Sequence, residues 1–295
     1  MTKRTIHILF GMASLLLTSC KDVVEINLND EDVNLYAVEA KITTRDNPFV
    51  FVYKTQVVSS GENYKGIRDA VVTVSDDSTP QKTIQLVEDP RMPGLYNPDG
   101  NTVYKGETGK IYTVTISTNG IVLTATDSLK KTEVIDSIQV RPSLREEYRA
   151  LGVFIYGKEP AESGNYYKWD VYCNRKLLNA GSGVLAIFND KLINGNYIGG
   201  LEVFTDAYHS DKRKIHLGDS VQVEQTSISK FAYNYYYQMQ IQKSNNEMYS
   251  VPPANIKSNF AASDGSTVAG LFTAHDVSSS NLIIIDDRIE SQLKD

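Results

Sequence analysis

The chain has 295 residues, 41% hydrophobic and 22% charged, with a formal net charge of −6 at pH 7. This is an ordinary globular composition, and its negative balance excludes a partner gripped through nucleic-acid phosphates, which needs a basic field. Only two cysteines are present, Cys20 and Cys173.

The chain begins with Lys3 and Arg4, an almost uncharged apolar run from Ile6 to Leu17, and then Leu17-Thr18-Ser19-Cys20. A short apolar run with basic residues before it and small residues after it reads as a secretory signal, not a membrane span. The last four residues form a lipobox. Residues 1–19 are therefore expected to be removed and Cys20 to be acylated, several chains on one residue giving stable anchoring. Cys173 would then be the one thiol left for the fold; its setting in Trp169-Asp170-Val171-Tyr172-Cys173 predicts a core position. Residues 20–34 are polar and acidic, with Asp22, Glu25, Asp30, Glu31 and Asp32, and are expected to be a tether.

The 276 residues after the signal suffice for two domains. Residues 35–130 read as an immunoglobulin-like β-sandwich. Alternating runs start at Leu35, Phe49, Ala70, Thr83 and Ile111, separated by turn clusters such as Arg45-Asp46-Asn47-Pro48. The Asn119-Gly120 pair predicts a hairpin between Ile111–Ile116 and Ile121–Thr126. Ser128–Glu133 is polar, and the domain boundary is expected there. Residues 131–295 read as a second β-rich sandwich or barrel-like domain carrying one amphipathic helix near 229–243. Ser229 is its expected N-cap, and Phe231, Tyr235 and Met239 its packing stripe.

Catalytic signatures are missing from the sequence. It has no Gly-x-Ser-x-Gly elbow, His-Glu-x-x-His or phosphate-binding glycine loop. His209, His216 and His275 are scattered, with His275-Asp276 the one pair that resembles a metal or triad fragment. Asn27–Asp32 and Asp76-Asp77 crowd oxygen donors without the order of a calcium loop. No enzyme activity, cofactor or metal is expected. Tyr166, Tyr167 and Trp169 are the candidate ligand-binding residues, since alternation places Tyr167 and Trp169 on one strand face. Asp77-Ser78, Asp127-Ser128, Asp136-Ser137 and Asp219-Ser220 have the form of O-glycosylation acceptors, and equally of turns handing over to strands.

An ordered series of motifs carries a resemblance. It runs from the lipobox through Tyr36–Ala40, Ile67–Val74, Gly94-Leu95-Tyr96, Gly109–Val114, Val134–Ile138 and Asn165-Tyr166-Tyr167. It continues through Leu217–Val221, the tyrosine helix, Pro252–Ile256 and Ala269–Phe272. With these the chain resembles a family of Bacteroidota lipoproteins catalogued as domain-of-unknown-function family 4249; the stretch Ser258–Thr267 is a departure that lengthens one gap. The resemblance implies a lipid-anchored protein of the outer membrane, at the cell surface, that is an accessory or ligand-capturing component beside a TonB-dependent β-barrel transporter. It supplies no catalytic residues. A structural or adhesive β-sandwich protein is the alternative, and an enzyme with an unrecognised site a third.

Overall fold

Strand alternation organises the first half of the chain in the computed structural model, which describes residues 34–56, 64–144, 150–179, 185–205, 215–243 and 256–292. The expected signal segment, Cys20 and nearly all of the tether lie outside those residues, as do His209 and Pro252–Asn255. The strands of this half are β1 (Tyr36–Thr43), β2 (Phe49–Lys54), β3 (Lys65–Gly66), β4 (Val71–Asp76), β5 (Thr83–Glu88), β6 (Leu95–Asn97), β7 (Ile111–Thr118) and β8 (Ile121–Ser128). In β4, Val72 and Val74 are fully buried while Val71 faces out, the period of two that a one-sided sheet imposes. The β7–β8 hairpin turns at Asn119-Gly120, with φ of 48° and 77°, the positive pair that a two-residue hairpin turn favours.

The second half contributes β9 (Ser137–Pro142), β10 (Leu151–Lys158), β11 (Tyr166–Cys173), β12 (Lys176–Leu177), β13 (Ala186–Asn189), β14 (Tyr197–Thr205) and β15 (Ser220–Ser227). Helix α1 (Lys230–Lys243) follows, then β16 (Ala261–Ala262), β17 (Val268–His275), β18 (Val277–Ser279), β19 (Ile283–Ile284) and a short α2 (Asp287–Ser291). The protein is predominantly β, as expected, and one of its sheets is nearly closed like a barrel.

That sheet has ten strands in the order β16-β8-β7-β4-β5-β6-β2-β1-β17, with β3 on β2. Its last member returns from far along the chain: β17 pairs in parallel with β1, Tyr36 opposite Val268 through Thr43 opposite His275. Gly270, with φ of 101°, permits this approach, because a Cβ there would lie 1.9 Å from the Val38 carbonyl oxygen. The outer edge of β17 would leave backbone groups unpaired. Side chains take the place of a ladder. The Asn259 amide both donates to Phe272 O (2.9 Å) and accepts from Phe272 N (3.0 Å), and the Asp127 carboxylate on β8 accepts from Ala274 N (2.9 Å). The lengthened gap thus builds the closure, since Phe260 joins the first core and β16 pairs with β8.

The second core lies between a three-stranded sheet, β14-β10-β9, and a six-stranded sheet, β12-β11-β15-β18, with β13 on β11 and β19 on β15. Cys173 is buried there. Residues 128–133 carry the chain from one core to the other and are held tightly. Leu129 is buried in the first core, and Thr132 is buried with its N–H donating to Asp276 Oδ2 at 2.9 Å. A specific protease site inserted into this link and cut is expected to leave the two pieces associated on gel filtration, because the β1–β17 ladder spans the cut. Pieces eluting separately without denaturant would show instead that each core stands alone.

Candidate functional site

The six-stranded sheet has a polar outer face. On β11 the outward residues are Lys168, Asp170 and Tyr172; on β15 they are Ser220, Gln222 and Glu224. Register sets Asp170 directly opposite Glu224 and Tyr172 opposite Gln222. Two carboxylates placed so would repel, and each is given its own cation. Lys168 pairs with Asp170 from the same strand. Arg45, from the turn between β1 and β2, reaches across from the first sheet to Glu224, with Nη1 2.5 Å from Oε1 and Nη2 3.0 Å from Oε2. Such a planar two-point pair is the strong form of the interaction, and the Glu224 hydrogen bonds raise the Arg45 guanidinium above its usual value.

Beside this pair lies a cleft of about 290 Å³, walled also by Tyr172, Arg175, Ser220, Gln222 and Leu282. Burial, with the negative charges of Glu224 and Asp170, pushes the Tyr172 phenol up to about 12, so it stays protonated as a donor. Sequence reading missed the cleft because its walls come from four separated stretches, and only the Arg45 turn stood out, as a turn.

The three aromatic candidates are placed differently. Trp169 and Tyr167 do share a face, with rings stacked at 5.9 Å, but it is the inner one. Trp169 is 2% exposed and its Nε1 donates to Gln225 Oε1 at 2.8 Å; the Tyr167 hydroxyl donates to the buried Glu159 at 3.1 Å. Neither ring offers a stacking surface to a ligand, because both sides are occupied by the core. Tyr166 faces the other way, against Tyr233 of α1 at 5.1 Å.

Helix α1 starts where expected, with Ser229 Oγ accepting from Ala232 N at 3.2 Å. Ala232 and, just before the helix, Ile228 are buried against Leu271 of β17, with Phe231, Tyr235 and Tyr236 half-buried. Met239, expected in the stripe, is 42% exposed and does not share in that packing. Tyr235 lies near Tyr53 on the outside of β2, where Phe51, Tyr53 and Tyr64 form an aromatic cluster with Phe51 5.0 Å from each of the others.

His275 and Asp276 do not act as a pair. The Asp276 carboxylate accepts from Thr44 Oγ1 (2.6 Å), Val277 N and Thr132 N, tying together the turn after β1, the start of β18 and the link. The Asp76 carboxylate likewise closes its own turn by accepting from Ser78 N and Lys82 N, each at 3.0 Å. The Ser78 and Ser220 hydroxyls in two of the glycosylation-like motifs are bonded to Asp76 and Asn174. Among the described residues no cluster of three or more metal-ligating side chains occurs.

Several quoted motifs meet in space. The Tyr96 hydroxyl donates to Ile67 O (2.7 Å) and accepts from Ala70 N (3.0 Å), joining Gly94-Leu95-Tyr96 to Ile67–Val74. Asp219 accepts from His216 N at 2.8 Å, closing the turn of Leu217–Val221. These motifs hold turns. Fold and site together define an all-β protein of two cores with a charged cleft on the outer face of the second. Residues 21–281 match the family model described as a domain of unknown function (DUF4249), and the chain belongs to that family. No curated protein matches the chain.

Proposed function

We propose that this protein is a lipid-anchored, non-enzymatic component of an outer-membrane uptake system in a member of the Bacteroidota, capturing ligand at the cell surface beside a TonB-dependent transporter. The observation that carries the capture role is the cleft between Arg45, Arg175 and Tyr172, a concave polar site on a rigid sheet. Anchoring rests on the basic, apolar and small-residue run that ends at Cys20. Among the described residues no helix is long and apolar enough to cross a membrane. A non-enzymatic role is supported by the commitment of the Asp276 carboxylate to structural hydrogen bonds.

Affinity capture from detergent-solubilised membranes is expected to bring down a large β-barrel. Self-association into polymers would instead favour the adhesive role, and turnover of a polymer substrate an enzyme. Cys20→Ala is expected to leave a soluble or uncleaved precursor. Intact-mass measurement of an unmodified Cys20 in the membrane fraction would overturn the anchor.

A further inference from the structure

Charge in the cleft is unbalanced. Of its lining groups, Arg45 is engaged in two-point fashion by Glu224, and the neighbouring Lys168 and Asp170 neutralise each other. Arg175 remains, a cation with no ion pair among the described residues. Its backbone is also unusual. Asn174 and Arg175 are the two central residues of the β11–β12 turn, between the paired Cys173 and Lys176, with φ of 50° and 65°. Glycine is the favoured second residue of such a turn. Arginine there accepts backbone strain, and strain of this kind marks positions where the side chain itself is needed.

We infer that the cleft binds a small organic carboxylate, with the Arg175 guanidinium clasping its two oxygens. A guanidinium fork matches a carboxylate in geometry as well as charge. The remaining walls suit the rest of such a molecule. Gln222 is fixed by its Nε2 donating to Ser280 O at 3.0 Å, which leaves Oε1 to accept from a ligand hydroxyl or amide. Ser220 donates to Asn174 Oδ1 at 3.2 Å and keeps its lone pairs for a donor. Leu282, half-exposed, supplies an apolar side. A cleft of about 290 Å³ takes one small molecule and no long polymer segment. A sugar acid and a peptide C-terminus share this chemistry.

This assignment rests on the capture reading. The test is calorimetric titration of the mature, anchored chain in detergent with glucuronate and, separately, with N-acetylalanine. Saturable binding of at least one probe is expected, with a dissociation constant below about 10 mM, and which probe binds separates the two sources. Arg175→Gly is expected to weaken that binding by roughly tenfold or more while thermal unfolding stays unchanged or rises, since Asn-Gly is the pair the turn favours. Arg175→Asn, also at ease at positive φ, repeats the test in a second background. Failure of both probes to bind, or undiminished binding by either variant, overturns the carboxylate assignment. Co-purification of a β-barrel is scored on the wild-type chain alone, so the uptake reading stands or falls separately.

Discussion

Trp169→Ala is expected to lower the unfolding free energy by roughly 4–6 kcal/mol, combining truncation of a buried aromatic with a stranded acceptor. Trp169 stacks on Tyr167 and leans on Phe188 at 6.2 Å in the second core. Its indole N–H holds Gln225, whose Nε2 in turn donates to Glu133 O (2.9 Å) and Thr132 Oγ1 (3.2 Å). Removing the ring therefore opens a cavity and loosens the side chain that pins the link between the cores. A domain of ordinary stability would be brought near its unfolding threshold. Because Trp169 is the only tryptophan, urea unfolding of the variant has to be followed by far-UV circular dichroism and not by indole fluorescence. Trp169→Phe keeps most of the packing and loses only the N–H, so about 1–3 kcal/mol is expected. A change under about 1 kcal/mol for the alanine variant would mean that the ring does not fill the core.

The same residue shows what could and could not be read from the sequence. Alternation says which side chains share a face, and it placed Tyr167 with Trp169 correctly. It does not say which face is wet. On a strand such as β11, with a buried face and a charged one, the inward set here carries Tyr167 and Trp169 and the outward set Tyr166, Lys168, Asp170 and Tyr172. Local signals performed well wherever the interaction is local: the Asn119-Gly120 turn, the Ser229 cap, the runs that became β1, β4, β7 and β8. Pairing between distant strands leaves no such mark. The run that became β17 read as a strand of the second half, yet it completes the first sheet beside β1, an arrangement set by Gly270, Asn259 and Asp127 acting together. The cleft was invisible for the same reason. Asn174-Arg175 is not a turn pair the usual signals pick out, and Arg45, Glu224 and Leu282 are brought to it only by the tertiary fold.

Acid should weaken this fold through His275. The residue ends β17, opposite Thr43, and its Nδ1 is buried without a hydrogen-bond partner. Burial, reinforced by the positive charges of Lys41, Lys168 and Arg45, pushes the imidazole down to about 3. The native state thus holds it neutral, whereas the unfolded chain protonates it near 6.5. Between those values the unfolded state binds the extra proton, so stability is full above about pH 6.5 and falls as the pH drops toward 3. The slope approaches about 1.4 kcal/mol per pH unit, and the loss from this group is about 2 kcal/mol by pH 5. His275→Phe fills much the same space without titrating. It also removes an unpartnered buried nitrogen, so its stability near pH 8 is expected to equal or exceed that of the wild type. Paired carboxylates such as Asp76 lose stability in acid in both proteins and cancel in the comparison. Urea midpoints measured from pH 8 to pH 5 should therefore diverge, with the phenylalanine variant gaining on the wild type at each step below pH 6.5. A constant difference across that range would show that water or a neighbouring group satisfies the imidazolium, and that His275 is not held neutral by the fold.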